Sequence, residues 1–418
     1  MNKKKRFIVT GGCTYGVSNH GDDAMLSCLI RGLNKKYKNP EIIFLARHPN
    51  KKFDNLFKFK SLKNLDHDHK DLAKNRFFLG MNSNDKTYHL KKISKAMSKA
   101  DMLIIGGNLF MEVHKNSFLE GVSSYTATLA TLARFHSVPV SLFGVNIVDE
   151  VENITTMEHA RFLIGISNGV SVRESHVIKR LKNMKIKNTK NVKVFGDPAY
   201  GMDIKSKGIF STTNVLKKIK FNIPKKRKIF GINIRYEYFN GFKKHQLDKF
   251  FKKMSNLIEK IDNEFNPFFL FIPNCTYKQS NPWHNDELIH KQIIKKVRNK
   301  IDFHFVKDNL SVFETLSLFK VVDFHMTNRR HSFIFSSLMH KPSILINGSW
   351  ADHQIPALKE LGLPEQLFDE KKESEKKLIY KIKKTFKNYK KIQLKLKKNI
   401  TYLRKRSENQ VNFITNKI

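Results

Sequence analysis

Short apolar runs alternate with helix-like amphipathic stretches along most of the chain. The runs lack the in–out alternation of a half-exposed sheet, so they predict strands buried on both faces. Strands that alternate with helices in this way predict parallel sheets. The predicted strands are 6–10, 41–46, 101–106, 138–144, 169–172 and 192–196 in a first series, and 228–235, 268–273, 303–306, 321–326 and 342–347 in a second.

The two series are separated by residues 204–228, where the strand pattern lapses into Lys, Ser, Thr and Asn. A chain of 418 residues is also too long for one ordinary core. We therefore expect an α/β protein with two Rossmann-like domains that face a cleft. The expected divisions are an N-terminal domain over 1–203, a linker over 204–228 and a C-terminal domain over 229–370.

The C-terminal segment 371–418 has a different pattern, with apolar residues at helical spacing and lysines between them. The apolar positions are Leu378, Ile382, Phe386, Tyr389, Ile392, Leu396, Ile400 and Leu403. They predict one long basic amphipathic helix. Two interpretations are open: the helix packs back across the domains, or its basic face contacts anionic membrane lipid.

The charge of the chain is strongly positive, because 78 Lys and Arg stand against 37 Asp and Glu, a net charge of +41. Such a field attracts nucleic acid, anionic lipid or small anionic substrates. Lysine is spread over the whole chain together with Asn, Ile and Phe, so a general compositional bias explains the charge equally well. Because no RNP-type aromatic pattern, zinc knuckle or helix-turn-helix signal occurs, no specific nucleic-acid partner is expected.

The cysteine pattern and the N-terminal sequence predict the cellular compartment of the protein. Cys13, Cys28 and Cys275 are odd in number and form no CxxC, so neither disulfides nor a metal site is expected. The N-terminus leads into a strand and glycines, unlike a signal peptide. The longest apolar region, 126–148, contains Arg134, His136 and Pro139, so no transmembrane helix is expected. We expect a cytoplasmic protein, at most peripheral on the inner face of the cell membrane.

The loop after the first strand reads GGCTYGVSNHGDDAML (11–26) and is rich in glycine. Its glycines permit tight turns and close approach of the backbone to a ligand, and it lies where parallel sheets bind ligands. Asn19, Gly21 and Asp22 are candidate site residues, although Asp22 can also be a helix N-cap. The glycine spacing does not fit GxGxxG, so dinucleotide binding is not expected.

Three further loops follow predicted strands. IIGGNLF (104–110) contributes Gly107 and Asn108, and GVSVRES (169–175) contributes Arg173. An arginine between a buried strand and a helix N-terminus suits anion contact, and an ion pair with Glu174 or a neighbouring residue is the alternative. Asp197 in VFGDPAY (194–200) indicates, by itself, only a turn.

The segment TNRRHS (327–332) places Arg329, Arg330 and His331 between a predicted strand and an apolar helix. Backbone N–H groups at a helix N-terminus favour negative charge, so the Arg-x-His spacing suits an anion site. Arginine can bind the anion in bidentate fashion, and histidine is the side chain that exchanges protons near neutral pH. A solvated helix start is the competing interpretation.

Taken in order, these motifs resemble the polysaccharide pyruvyl transferase family. The segments that carry the resemblance are NHGDDAM (19–25), DMLIIGGNLF (101–110), SVRES (171–175), GDPAY (196–200) and RRH (329–331), followed by SFIFSSLMHKPSILIN. The resemblance covers about 6–347. It implies a GT-B-like fold and transfer of the enolpyruvyl moiety of phosphoenolpyruvate to two hydroxyls of a sugar, forming a pyruvate ketal in cell-surface polysaccharide biosynthesis. Phosphoenolpyruvate is the co-substrate, and no other cofactor is implied.

The resemblance also implies roles for the candidate residues. Arg173 and Arg329 bind the phosphate and carboxylate of phosphoenolpyruvate, with Arg330 and Arg235 as further cations, and His331 transfers protons. Asp22 or Asp197 deprotonates the sugar hydroxyls. The loop residues on the side of the sugar or lipid-linked saccharide acceptor are Asn19, Gly21, Gly107, Asn108 and Asp197.

The sequence departs from the family pattern at two places. Arg330 occupies a position where an apolar residue such as Leu is expected, and GSWADHQ (348–354) replaces a segment in which many relatives have a lysine. The alternative function on the same fold is a sugar-nucleotide-dependent glycosyltransferase. For that function, Glu365 or Asp369 is in the region expected to contact a ribose.

Overall fold

The computed structural model describes residues 4–11, 15–65, 88–111, 121–147, 150–204, 211–236, 244–277, 284–307, 310–347 and 351–416. Gly12 and Cys13 of the first glycine-rich loop lie outside the described residues, as do Gly348, Ser349 and Trp350 of the segment that departs from the family pattern. The described chain forms two compact units, each built on one parallel sheet.

Unit 1 comprises Met1–Val17, Asp22–Asp203 and Arg404–Ile418. Its sheet has the strand order β3-β2-β1-β4-β5-β6-β7, with every pair parallel. The central strands are apolar and buried along their whole length because helices cover both faces of such a sheet. The strands are β1 (Arg6–Gly11), β2 (Glu41–Ala46), β3 (Lys60–Lys63), β4 (Met102–Gly106), β5 (Val140–Val145), β6 (Ser167–Val172) and β7 (Val192–Val194).

Some helices of unit 1 follow a residue whose side chain accepts hydrogen bonds from the free backbone N–H groups of the first turn. The Asn50 side chain accepts from the N–H groups of Lys52 and Phe53, and the Asn153 side chain accepts from Thr156. The helices are α1 (His20–Lys36), α2 (Lys51–Phe57), α3 (Tyr88–Met97), α4 (Val122–Phe135), α5 (Ile154–Ile166) and α6 (His176–Asn183), and a 3₁₀ helix spans Pro198–Gly201.

Unit 2 comprises Ser18–Gly21 and Ile204–Leu403. Its sheet repeats the arrangement of unit 1, with the order β10-β9-β8-β11-β12-β13 and only parallel pairs. The apolar side chains of β8 and β11, including Phe230 and Phe324, pack with Phe386 in its core. The strands are β8 (Ile229–Asn233), β9 (Phe268–Phe271), β10 (Phe303–Phe305), β11 (Phe324–Thr327), β12 (Ser343–Asn347) and β13 (Leu367–Asp369).

Some helices of unit 2 have the same kind of N-terminal cap. Ser311 and Glu314 form a capping box before the helix Val312–Leu318, and Asn285 caps the helix Asp286–Val297. The helices are α7 (Thr212–Lys218), α8 (Lys244–Phe265), α9 (Asp286–Val297), α10 (Val312–Leu318), α11 (Arg330–Leu338), α12 (Ala351–Glu360), α13 (Glu375–Lys387) and α14 (Tyr389–Ile414), and a 3₁₀ helix spans Pro364–Gln366. The residues of α14 from Arg404 onward belong to unit 1.

The predicted fold class, two Rossmann-like α/β units, is confirmed. Every predicted strand is present within a few residues of its expected bounds. The sequence pattern missed β3 and β13, which are the outermost strands at one edge of each sheet. Both are short and only partly buried, so their sequences do not contain a continuous apolar run.

The predicted long C-terminal helix is present as α14, but the segment 371–418 forms two helices and not one. The backbone leaves helical geometry at Asn388, whose N–H donates to the carbonyls of Lys384 and Phe386. The Asn388 side chain also donates to the Lys384 carbonyl, at 2.9 Å. This local capping ends α13 and allows α14 to begin at Tyr389, a change that apolar spacing alone does not reveal.

The expected domain bounds also need correction. The segment 204–228 is not a plain linker, since it contains α7, which is tied to α10 by the Lys218–Glu314 ion pair at 2.8 Å. Residues 404–418 belong to unit 1 because Ser407, Gln410 and Thr415 hydrogen-bond within it. Residues 18–21 belong to unit 2, where Asn19 forms a β-bridge with Cys275.

Candidate active site

Each sheet has a point where the direction of strand addition reverses. In unit 1 this point lies between β1 and β4, and in unit 2 it lies between β8 and β11. Loops diverge at such a point and leave a crevice at the carboxyl ends of the strands, the usual place for a ligand in α/β sheets. Most of the candidate residues lie on the loops that follow the central strands.

In unit 1, the ring of Tyr15 covers the carboxyl ends of β1 and β4. A Cβ at Gly11 would lie 2.2 Å from the ring, and a Cβ at Gly106 would lie 2.5 Å from its hydroxyl, so both positions require glycine. The hydroxyl is buried, and no described residue forms a hydrogen bond with it. Burial raises the pKa of Tyr15, and the nearby Asp22 carboxylate raises it further.

Arg173 follows β6 and is almost completely buried, at 3% exposure. Its Nε donates to the Gly144 carbonyl at 2.7 Å, and its Nη1 lies 3.8 Å from Oδ2 of Asp197. Arg173 therefore takes part in an ion pair, as the alternative interpretation expected, but its partner is Asp197 and not the adjacent Glu174, which contacts His176 at 3.0 Å. Nη2 of Arg173 is buried without a hydrogen-bond partner among the described residues.

Asp197 is fully buried, and its loop is held from two sides. Its Oδ1 accepts from the Ala199 N–H at 2.9 Å and so caps the 3₁₀ helix Pro198–Gly201. On the other side, Ser407 donates to the Asp197 carbonyl at 3.0 Å and Gln410 donates to the Gly196 carbonyl at 3.1 Å. The C-terminal part of α14 thus fixes the loop that carries the partner of Arg173.

Asp22 and Asp23 lie in the first turn of α1, which begins at His20. Asp22 is therefore inside the helix, and its prediction as an N-cap is wrong. Both carboxyls are buried, and Oδ1 of Asp23 accepts from the Gly16 N–H at 2.9 Å. Burial outweighs this hydrogen bond and raises the pKa of Asp23 to about 8, with a further contribution from Asp22.

The second loop of unit 1 contains Gly107 and Asn108, directly after β4. Gly107 has a φ of 90°, and its N–H donates to the Phe143 carbonyl at 3.3 Å. Oδ1 of Asn108 is buried, and among the described residues none hydrogen-bonds to it. Unit 1 therefore brings together Asp22, Arg173 and Asp197 around Tyr15, while Gly107 and Asn108 lie at the end of the neighbouring strand.

In unit 2, residues 18–21 pack against the loop after β9. The Thr276 N–H donates to the Ser18 carbonyl, and the His20 N–H donates to the Asn274 carbonyl, both at 3.0 Å. His20 Nε2 hydrogen-bonds to the Leu310 carbonyl at 2.9 Å, and burial lowers the pKa of His20 to about 4. These contacts fix Gly21 against the ring of His331, where a Cβ would be 1.9 Å from Nδ1.

Arg329 is held by a buried carboxylate that the sequence did not indicate. Oδ1 of Asp286 accepts from Arg329 Nε at 2.7 Å and lies 2.5 Å from Nη2. Oδ2 of Asp286 accepts from the N–H groups of Asn274 and Cys275, at 2.9 and 3.0 Å, and from Asn233 Nδ2 at 3.1 Å. The interpretation of Arg329 as a solvated helix start is therefore wrong.

Arg235 and His284 lie within electrostatic reach of Arg329, and we call Arg235, His284, Arg329 and Asp286 the cationic group of unit 2. The loops that follow β8 and β11 are joined by reciprocal hydrogen bonds between the Arg235 backbone and the Asn328 side chain, each 2.8 Å. Burial lowers the pKa of His284 to about 4, and the positive charges of Arg235 and Arg329 lower it further. A neutral histidine thus lies within electrostatic reach of two guanidiniums. Arg330 and His331 are the first two residues of α11 and follow Arg329 directly in the sequence. Both are half-buried.

Sequence reasoning missed Tyr15, Asp23, His284 and Asp286. Tyr15 and Asp23 lie inside the glycine-rich motif that was singled out, so their proximity to Asp22 was available as a signal. Asp286 had only a weak signal, an Asn-Asp pair at the start of α9, which is ordinary helix-capping chemistry. Among the described residues, no group of three or more His, Cys, Asp or Glu side chains is arranged to hold a metal ion.

Comparison with known proteins gives one family and a consistent fold. The family model described as Polysaccharide pyruvyl transferase matches residues 19–349. No curated protein matches the chain significantly. Two solved structures are similar over most of the chain. UDP-GlcNAc 2-epimerase from Neisseria meningitidis bound to UDP-GlcNAc has a TM-score of 0.62 and 13% sequence identity, and the match covers 99% of this chain and 100% of that one. UDP-GlcNAc 2-epimerase from Methanocaldococcus jannaschii has a TM-score of 0.60 and 15% sequence identity, and the match covers 91% of this chain and 92% of that one. At such low identity the likeness concerns the GT-B-like fold alone.

Proposed function

Because the chain belongs to the polysaccharide pyruvyl transferase family, we propose that it transfers the enolpyruvyl group of phosphoenolpyruvate to two hydroxyls of one sugar residue. The product is a cyclic pyruvate ketal, and inorganic phosphate is released. The sugar belongs to a cell-surface polysaccharide or to its lipid-linked precursor. Phosphoenolpyruvate enters as a co-substrate, and the proposed chemistry needs no other cofactor.

The cationic group of unit 2 is the observation that carries this proposal. Arg329 is paired with the Asp286 carboxylate, and the charges of Arg235, Arg329 and Asp286 all act on the neutral His284, near the carboxyl ends of β8 and β11. Two guanidiniums and one carboxylate are thus concentrated in this group. Phosphoenolpyruvate concentrates a phosphate and a carboxylate on three carbons, and such a ligand needs several cationic donors close together. The N-terminus of α11 adds backbone N–H groups.

Within this group the Arg329 side chain is held by several contacts. Its Nε and Nη2 already bind Asp286, and Nη2 also donates to the His284 carbonyl at 3.2 Å. We therefore propose that Asp286 fixes the plane of the Arg329 guanidinium, while Arg235 and Arg330 adjust to the bound anion. Preorganised donors of this kind lose little rotamer freedom on binding.

His331 is the proposed proton donor. Protonation of the methylene carbon of the enolpyruvyl group gives an oxocarbenium-like centre at the adjacent carbon. One sugar hydroxyl adds to that centre and loses its proton; the second hydroxyl then displaces phosphate, which leaves with the electron pair of its C–O bond. Imidazole suits the first step because histidine exchanges protons near neutral pH.

Unit 1 offers the groups that sugar hydroxyls need. Asp22 is the proposed base that accepts a hydroxyl proton, and Tyr15 is a buried hydroxyl within its electrostatic influence. Asp23 is unsuitable as the base at neutral pH, because a pKa of about 8 keeps it mostly protonated. Arg173 presents Nη2 without a partner among the described residues, in keeping with a role in contacting an anionic group.

The test combines binding with product analysis. Purified protein is titrated with phosphoenolpyruvate, UDP-sugars and GDP-sugars in a thermal-shift assay, then incubated with phosphoenolpyruvate and candidate lipid-linked or nucleotide-linked sugars. We expect stabilisation by phosphoenolpyruvate and a pyruvate adduct detected by mass spectrometry. Stabilisation by a nucleotide sugar, with no response to phosphoenolpyruvate, would instead support the glycosyltransferase alternative.

His331→Ala separates binding from chemistry. We expect this variant to bind phosphoenolpyruvate but to form no ketal. The control is His245→Ala, which removes an exposed histidine of α8 in the same unit. Equal turnover by the His331 variant and the control would exclude His331 as the proton donor.

A further inference from the structure

One face of α14 is both strongly basic and partly apolar. Between Tyr389 and Leu403 the exposed lysines are Lys390, Lys391, Lys395, Lys397 and Lys398. Leu394 and Tyr402, exposed at 69% and 65%, lie on the same side of the helix. At 3.6 residues per turn these seven positions occupy an arc of about 160°, with Leu394 near its centre. We call this arc the lysine face.

The opposite side of α14 supplies the buried apolar residues that the fold needs from this helix. Ile392, Leu396, Ile400 and Leu403 are each at most 4% exposed. Leu394 and Tyr402 are therefore not needed for core packing. They add apolar surface to the lysine face, next to its charges.

The charge around the lysine face is unusually one-sided even for this basic chain. Residues 376–407 contain fourteen Lys or Arg and no Asp or Glu. The next acidic residue along the chain, Glu408, is paired with Arg31 and Lys35. Within the part of the chain that the structure describes, none of the five lysines of this face is paired with a carboxylate. The face therefore presents its full positive charge to a partner.

We propose that the lysine face of α14 docks on the surface of an anionic lipid bilayer. Lysines attract anionic headgroups, a leucine at the centre of the arc reaches the boundary of the acyl chains, and tyrosine suits the interfacial layer. Nucleic acid would satisfy the lysines but would give an exposed leucine no apolar environment. The helix lies on the membrane in this arrangement; none of the described helices is long and apolar enough to cross one.

Vesicle co-sedimentation tests the proposal. Vesicles of phosphatidylcholine alone are compared with vesicles that also contain phosphatidylglycerol, and the salt concentration is varied. We expect binding only to the anionic vesicles, weakening as salt rises. The triple variant Lys391→Gln, Lys395→Gln, Lys398→Gln should bind about a hundredfold more weakly, since three headgroup-facing charges are removed. Leu394→Ser should weaken binding about tenfold without changing the charge.

A matched control removes the same charge elsewhere. Lys182, Lys187 and Lys190 are exposed lysines of unit 1, and changing all three to Gln should leave vesicle binding close to that of the unaltered protein. If both triple variants lost vesicle binding equally, only net charge would matter and the proposal would be overturned. Unchanged vesicle binding by Leu394→Ser would also overturn it.

A third contrary result would be a protein that retains RNA at physiological salt but does not bind anionic vesicles. These results are independent of ketal formation on a soluble acceptor, so they leave the proposed reaction untouched.

Discussion

Gly21 lies directly against the imidazole of His331, so that a Cβ on the glycine would be 1.9 Å from Nδ1. The two residues come from the first and last motifs of the family resemblance, and both belong to unit 2. The contact explains why the first motif needs glycine at this position: a side chain there would force the histidine ring to move.

Gly21→Ala should therefore displace His331 without removing it. A misplacement of about 1 Å in a reacting group can cost about a hundredfold in rate, so we expect pyruvate transfer to fall by at least that factor. The measurement is steady-state turnover with phosphoenolpyruvate, together with a thermal melt. Turnover within a few-fold of the unaltered protein would show that His331 does not need its present position.

Gly165→Ala is the matched control for Gly21→Ala. Gly165 lies in α5, and a Cβ there has no heavy atom within 4 Å among the described residues. This change should leave turnover unaltered and raise stability by about 0.5–1 kcal/mol, because alanine favours the helix over glycine.

The Arg329–Asp286 pair should be strongly coupled. Arg329→Met leaves a buried carboxylate with only backbone and amide donors, a change that typically costs about 3–5 kcal/mol of unfolding free energy. We expect the double variant with Asp286→Asn to recover part of this loss, giving a coupling energy of about 3 kcal/mol in a double-mutant cycle. Chemical denaturation of the four proteins measures it.

The exposed Glu287–Lys291 pair on α9 provides the comparison, at 2.6 Å. An exposed helical pair of this spacing contributes about 0.3–0.5 kcal/mol. If both cycles gave the same small value, Arg329 would be a mobile side chain and Asp286 would not fix it. The comparison also shows how much stability the Arg329 variants lose. That loss can then be separated from loss of substrate binding when their activity is measured.

Asp23 should make the protein less stable as pH rises, whereas a carboxylate in an ion pair makes a protein more stable as pH rises. Its pKa is raised from 3.8 to about 8 in the folded protein, so between those values the folded state holds a proton that the unfolded state has lost. Stability therefore falls as pH rises from about 4 to about 8. Asp23→Asn should remove this slope, so its melting temperature should exceed that of the unaltered protein at pH 8 and approach it at pH 5. Asp248→Asn, at an exposed position of α8, should show no such divergence.

Ser407 and Gln410 should affect the site although both lie beyond the region that matches the family. Their hydrogen bonds hold the carbonyls of Asp197 and Gly196, and both side chains are fully buried. Ser407→Ala and Gln410→Ala should each cost about 1–3 kcal/mol, because a buried carbonyl loses its donor. If Asp197 positions Arg173, turnover should fall more than the loss of stability explains. Asn409→Ala, at an exposed position of the same helix, is the control.

Much of the fold was predictable because a buried strand or helix face requires apolar residues at a regular spacing in the sequence. Strands such as Met102–Gly106 are covered on both faces, so every position is apolar and the run stands out. Edge strands such as Lys60–Lys63 are partly exposed and carry lysine, so no run marks them. Asn388 ended a helix through hydrogen bonds with its own neighbours, a local event that heptad spacing does not encode.

The sequence alone determined which loops follow the central strands and which of them carry cations, since strand order and residue type are written along the chain. Only the tertiary structure decided the partners: Arg329 with Asp286, Arg173 with Asp197, and His331 with Gly21. The physical reason is that ion pairing and close packing depend on distances in space between residues that are remote along the chain. A buried carboxylate such as Asp286 has no local pattern of its own, because the groups that neutralise it come from other strands and loops.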